Sequence, residues 1–164
     1  GTNFSHAYDI KVLGKDEKKE QFLKVGEGAL WEGIDQAVDG RNVGDISNAI
    51  QARVEGAGYS VVRSLVGHGI GRNLHEDPQI PCFGKKGSGI KLQSGMTLAV
   101  EVIYTSGEAD VMLDKDRWTF KTIDGSWGGL FEMTVIVGPP ASLPAGAAGR
   151  AGKRAEALTD WRRV

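Results

Sequence analysis

The chain has 164 residues, with 20 Lys and Arg against 21 Asp and Glu and a formal charge of -1. That is one compact domain or a large piece of one, without the basic excess that would suggest a nucleic-acid partner. A single cysteine, Cys82, excludes an internal disulfide framework and fits a reducing, cytoplasmic setting. No apolar run approaches a membrane span, no signal peptide is read, and 24 glycines point to a turn-rich α/β protein.

In chain order, the start lacks Met, and Ile10-Lys11-Val12-Leu13-Gly14 reads as a strand already under way, so the chain is expected to have been cut from something longer. From Asp16 to about Val38, Phe22, Leu23, Leu30, Ile34, Ala37 and Val38 fall near one helical face. A second helix is expected from an N-cap at Gly44-Asp45, through Ile46, Ala49, Ile50 and Val54, to a left-handed stop at Gly58. A strand over Tyr59–Val66 leads to a glycine-flanked histidine and a loop holding Pro78 and Pro81. Further strands are expected over Thr97–Tyr104, Trp118–Thr122 and Leu130–Val137. Residues 139–157 are Ala/Gly/Pro-rich and read as a flexible insertion before a short anchored end at Leu158–Trp161.

Chemistry concentrates in Gly67-His68-Gly69-Ile70-Gly71-Arg72-Asn73-Leu74-His75-Glu76-Asp77-Pro78. Glycines on both sides let the backbone bend and let a bulky group approach the His68 ring, which suits a ligand or a base. A hydrogen-bonded core histidine beside a flexible turn would fit the same residues. Glu101 and Glu132 shift the balance, because each interrupts an apolar strand. Alternation puts Glu101 on a face with Ala99 and Ile103, and Glu132 on a face with Leu130, Thr134 and Ile136. A buried carboxylate needs neutralising. Lys121 or Arg72 could do this as an ion pair. Both glutamates together with His68 favour Mn, Fe, Co or Zn, and two adjacent ions if a carboxylate bridges. His75 could be a proton carrier facing a substrate or a surface histidine beside Glu76 and Asp77. Cys82 reads as a loop thiol at the mouth of the site, and Gly67-x-Gly69-x-Gly71 lacks dinucleotide spacing.

The runs 67–72, 74–78 and 80–81, then Leu92–Thr97 leading to Glu101, Arg117–Ser126, and Phe131-Glu132-Met133-Thr134, resemble in order the type I methionine aminopeptidases. The likeness runs from about residue 9 to Val137, with Leu158–Val164 similar to a family C-terminus. It implies an α/β (α+β) pita-bread fold, mainly its C-terminal half, with two helices packed on an antiparallel-rich curved sheet. It further implies a monomer, two divalent ions, and hydrolysis by a metal-activated hydroxide that removes initiator methionine from nascent polypeptides, near the ribosome. Position by position, His68, Glu101 and bridging Glu132 match metal ligands, and His75 matches the substrate-contacting histidine. Leu74 and Trp118 match positions lining the methionine pocket.

The chain also departs from the pattern. His6 stands where the family's second aspartate ligand is expected, with Asp9 three residues out of register. The first aspartate and another substrate histidine would precede Gly1. Met133 and Val102 replace a His and a Pro beside ligands. Residues 1–164 alone are therefore expected to be a partial catalytic domain with little or no turnover and a tendency to aggregate. A non-catalytic peptide- or protein-binding module of the same fold, and a proline-specific peptidase, are the competing readings. The His75–Pro78 run and short loops favour the methionine enzyme over the proline-specific one.

Overall fold

The computed structural model describes residues 16–139 and 155–159, and the main chain of residues 6 and 7. β1 (His6–Ala7) is followed by α1 (Glu17–Ile34). The Asp16 carboxylate starts α1 by accepting the amides of Lys18 and Lys19, filling two of the donors a helix start leaves free. α1 ends before the expected Val38. Tighter turns, Gln36 N–H to Gly33 and Ala37 N–H to Ile34, close it, and Val38 leaves to bridge Gly138.

α2 (Val43–Gly56) begins earlier than its expected cap. Asn42 is the N-cap, and Asp45 sits inside the first turn, accepting the Asn42 amide at 2.8 Å. Gly58 supplies the left-handed stop at φ +82.

The expected strand over Tyr59–Val66 is two strands. β2 (Ser60–Val61) pairs with one end of β5 (Thr97–Thr105), and β3 (Val66–Gly69) with the other. The expected loop around Pro78 is β4 (Glu76–Pro81). Prolines are tolerated there because β4 is the outer strand, and a missing amide on the open side breaks no ladder. β6 (Val111–Leu113), unexpected from sequence, and β7 (Phe120–Thr122) form a separate hairpin. β8 (Gly128–Val137) completes the central pair. β9 (Ala155–Ala157) pairs with it, so the last three residues of the expected insertion are strand; residues 140–154 lie outside the described residues. The expected anchored end holds through Leu158 and Thr159, which bond the main chain of Thr134; Asp160 and Trp161 lie outside the described residues.

Among the described residues, all pairings of the seven-stranded sheet are antiparallel, in the order β1-β8-β5-β3-β4, with β2 also on β5 and β9 also on β8. Both helices cover one face. Leu98, Val100, Val102 and Tyr104 of β5 and Phe131, Met133, Val135 and Val137 of β8 point into that layer, against Phe22, Val25, Leu30, Ile46 and Ile50. Period-2 alternation therefore sends Glu101 and Glu132 to the other face. No helix among the described residues is long and apolar enough to cross a membrane.

Tyr104 ties α1 to the central strand. Its ring stacks on Phe22 at 4.3 Å, and its hydroxyl donates to the Phe22 carbonyl at 2.7 Å. Tyr104→Phe leaves the ring packing and removes that donor, so a loss of about 1 kcal/mol is expected in urea unfolding. A change below about 0.3 kcal/mol would show that the bond adds nothing beyond packing.

Candidate metal centre

β5 and β8 run in register with Glu101 directly opposite Glu132. Residues opposed across an antiparallel pair share a face. β3 adds His68 opposite Ala99, which shares the face of Glu101 two residues on. Three adjacent strands thereby converge one imidazole and two carboxylates, with a ligating atom of each within 4.8 Å of the others.

This packing needs the glycines. A Cβ on Gly67 would collide with the Ala99 carbonyl oxygen of β5, and one on Gly69 with the Asp77 carbonyl of β4. Their absence lets β3 lie close to both neighbours and holds His68 inside the strand, where the sequence suggested a strand end.

His68 is buried, and its Nδ1 lies 2.9 Å from the Gly69 carbonyl. A carbonyl oxygen only accepts, so Nδ1 donates to it, and Nε2 is the ring atom turned to the carboxylates. That Nε2 faces Glu101 Oε1 at 3.5 Å. A backbone acceptor on one ring nitrogen is how metal-bound histidines are oriented. Burial, and next the negative charge of Glu132, push the Glu101 carboxyl up to about 8. Of the expected ion-pair partners, Lys121 lines the same cavity but pairs with Asp114, and Arg72 is exposed. The donor set is nitrogen and carboxylate oxygen without thiolate, which fits a divalent first-row ion.

His75 is exposed, and its ring centroid lies 4.3 Å from that of His68. The loop that presents it is folded back by Glu76, whose carboxylate accepts the Asn73 amide at 2.7 Å. Both histidines open into a cavity of about 810 Å³ whose walls include Glu101, Ile103, Phe120 and Leu130. This cavity can hold an apolar side chain beside the cluster.

The structure does not bring Leu74 or Trp118 to that wall. Trp118 is 86 % exposed. The Asp116 carboxylate accepts its amide and that of Thr119 in the turn that exposes it. Ile103 and Leu130 line the cavity, and their signal was the alternation that put them on the faces of Glu101 and Glu132. His6 pairs through its main chain with Met133, beside Glu132, and its side chain lies outside the described residues, as does Asp9.

Cys82 is not at the mouth of the site. It is fully buried in the core, and burial pushes its thiol up to about 12. Ellman's reagent is expected to leave it unlabelled until the protein unfolds, because thiolate and access are both missing. Stoichiometric labelling within a minute in native buffer would contradict this placement.

The profile of metallopeptidase family M24 matches residues 6–139. The chain is 44 % identical over 123 residues to a methionine aminopeptidase of Clostridium perfringens, covering 75 % of this chain and 49 % of that protein. It is 42 % identical over 130 residues to methionine aminopeptidase 1 of Bacillus subtilis, covering 79 % and 52 %. The crystal structure of a methionine aminopeptidase from Thermotoga maritima superposes with a TM-score of 0.77 at 39 % identity, covering 88 % of this chain and 53 % of that one. A prolidase from Pyrococcus furiosus shares the fold at 19 % identity, with a TM-score of 0.67 over 96 % of this chain and 37 % of that one. The chain spans about half the length of the curated relatives it matches. With its sheet, its two covering helices and its clustered His68, Glu101 and Glu132, it belongs to metallopeptidase family M24.

Proposed function

We propose that this chain is the metal-binding part of a cytoplasmic, monomeric aminopeptidase that removes the initiator methionine from nascent polypeptides near the ribosome, using two divalent ions (Co, Mn, Fe or Zn). The convergence of His68, Glu101 and Glu132 beside an apolar cavity carries the proposal. Similarity of 42–44 % to proteins named methionine aminopeptidase supports this choice over a proline-specific peptidase, whose solved examples share only the fold.

His68 Nε2 and the two carboxylates would hold the metal, with Glu132 as the bridge. The ions would supply Lewis acidity and water activation. His75, at the cavity edge, is placed to donate a hydrogen bond to a bound peptide or to move a proton. Ile103, Phe120 and Leu130 offer the methionine side chain an apolar surface and exclude water around it.

The test is release of methionine from Met-Ala-Ser by a full-length version that carries this chain, loaded with Co2+ or Mn2+, beside a direct metal titration of the chain itself. Metal-dependent release that disappears in Glu132→Ala supports the reading. Stoichiometric metal binding without release would favour a binding module. Failure to bind either ion would overturn the metal assignment itself.

A further inference from the structure

The edge of β5 that faces β2 and β3 is interrupted at the metal cluster. β3 pairs with Leu98 and Ala99, and β2 with Tyr104 and Thr105. Between them runs the stretch that carries Glu101. The Val62 amide donates to the Ile103 carbonyl there at 2.9 Å. Two further main-chain groups of the same stretch are met by one side chain. Cys82 Sγ accepts the Ile103 amide at 3.3 Å and donates its S–H to the Glu101 carbonyl at 3.2 Å. Cys82 follows the last residue of β4, which pairs as far as Val66, so the chain delivers the thiol across the gap between the two short strands.

We propose that Cys82 is a positioning residue for the metal site: its thiol replaces a missing rung of the sheet and holds the main chain of Glu101 in place for metal binding. The thiol needs its proton for this, and the burial that keeps it a thiol is consistent with the role. A buried amide or carbonyl left without a partner is costly, so without the rung this stretch would shift toward water or toward β8. Glu101 would move with it, away from His68 Nε2. Cys82 is not one of the clustered ligand residues, so it would act through the main chain of Glu101.

The inference rests on the metal reading, so the experiment separates the two. Cys82→Ala and Cys82→Ser leave nearly the same volume and differ by one hydroxyl that can donate and accept. Amide exchange is followed at Ile103, with Val100 as the reference, and Co2+ affinity is followed by its visible absorption. The expected result is Ile103 exchange faster in C82A than in C82S, and Co2+ dissociation constants weaker by about fivefold, the worth of one buried hydrogen bond. Partial return toward the wild-type values in C82S would mark the hydroxyl as a substitute rung. Equal Ile103 exchange in the two variants would overturn the proposal. Faster exchange with equal Co2+ affinity would also overturn it, since the rung would then be structural only. If the wild-type protein binds no Co2+, the metal reading fails instead, and the exchange comparison alone decides whether the thiol holds the strand.

Discussion

Glu101→Gln is expected to make the metal-free protein more stable while weakening Mn2+ or Co2+ binding by about 100-fold or more, beyond the usual cost of losing an outer-shell partner. The ordinary value for such a carboxyl is 4.5, and burial beside Glu132 raises it to about 8 in the folded chain. Between those values the native state holds a proton that the unfolded state has released. Stability of the metal-free protein from this group is therefore full below about pH 4.5 and lost as pH rises toward 8, at ~1.4 kcal/mol for each pH unit between the two values. Glutamine keeps the shape and cannot ionise, so it removes that slope. Urea unfolding in chelator should show the variant and the parent nearly equal at pH 5 and the variant clearly ahead at pH 9. Equal stability at both pH values would mean that Glu101 is not held against its charge. The same titrations with metal present reverse the order, because an ion favours the ionised carboxylate.

Gly67→Ala is expected to cost about 1–3 kcal/mol, the usual range for a clash in a packed interior. For a chain of this size each kcal/mol lowers the melting temperature by roughly 2–4 °C. The added methyl would meet the Ala99 carbonyl of β5, which is backbone and cannot rotate away. β3 must then separate from β5, and His68 leaves Glu101 with it. Metal affinity should fall together with stability. Gly56→Ala is the matched control: it sits in the last turn of α2 with nothing within 4 Å of where a methyl would stand, and it should gain up to about 1 kcal/mol. If Gly67→Ala melts like the parent protein, the close approach of β3 and β5 is not what these glycines serve.

Both expectations rest on features that differ in how they are written into the chain. The acidic residues inside apolar strands and the glycine-bracketed His68 are local patterns, and they were legible before any fold was known. So were the apolar faces of both helices and the left-handed stop at Gly58. The strand around Pro78 was not legible, because a proline argues against a strand unless the strand is known to lie at an edge. The split between β2 and β3 was hidden for a similar reason. The apolar run Tyr59–Val66 is continuous in sequence, and only its two separate docking places on β5 break it. Trp118 resembled a pocket residue by position, yet the Asp116 turn carries it into solvent.

By itself the sequence determined which side chains alternate together and which residues free the backbone, since those follow from the two-residue repeat of a strand and the absence of a Cβ. Tertiary structure alone decided that Glu101 stands opposite Glu132, that His68 Nε2 faces them, and that a buried thiol completes the sheet behind the site. The physical reason is register. A strand's faces are set by its own backbone, but its partner at each rung is set by hydrogen bonds to residues far away in the chain, and the metal cluster consists of such partners.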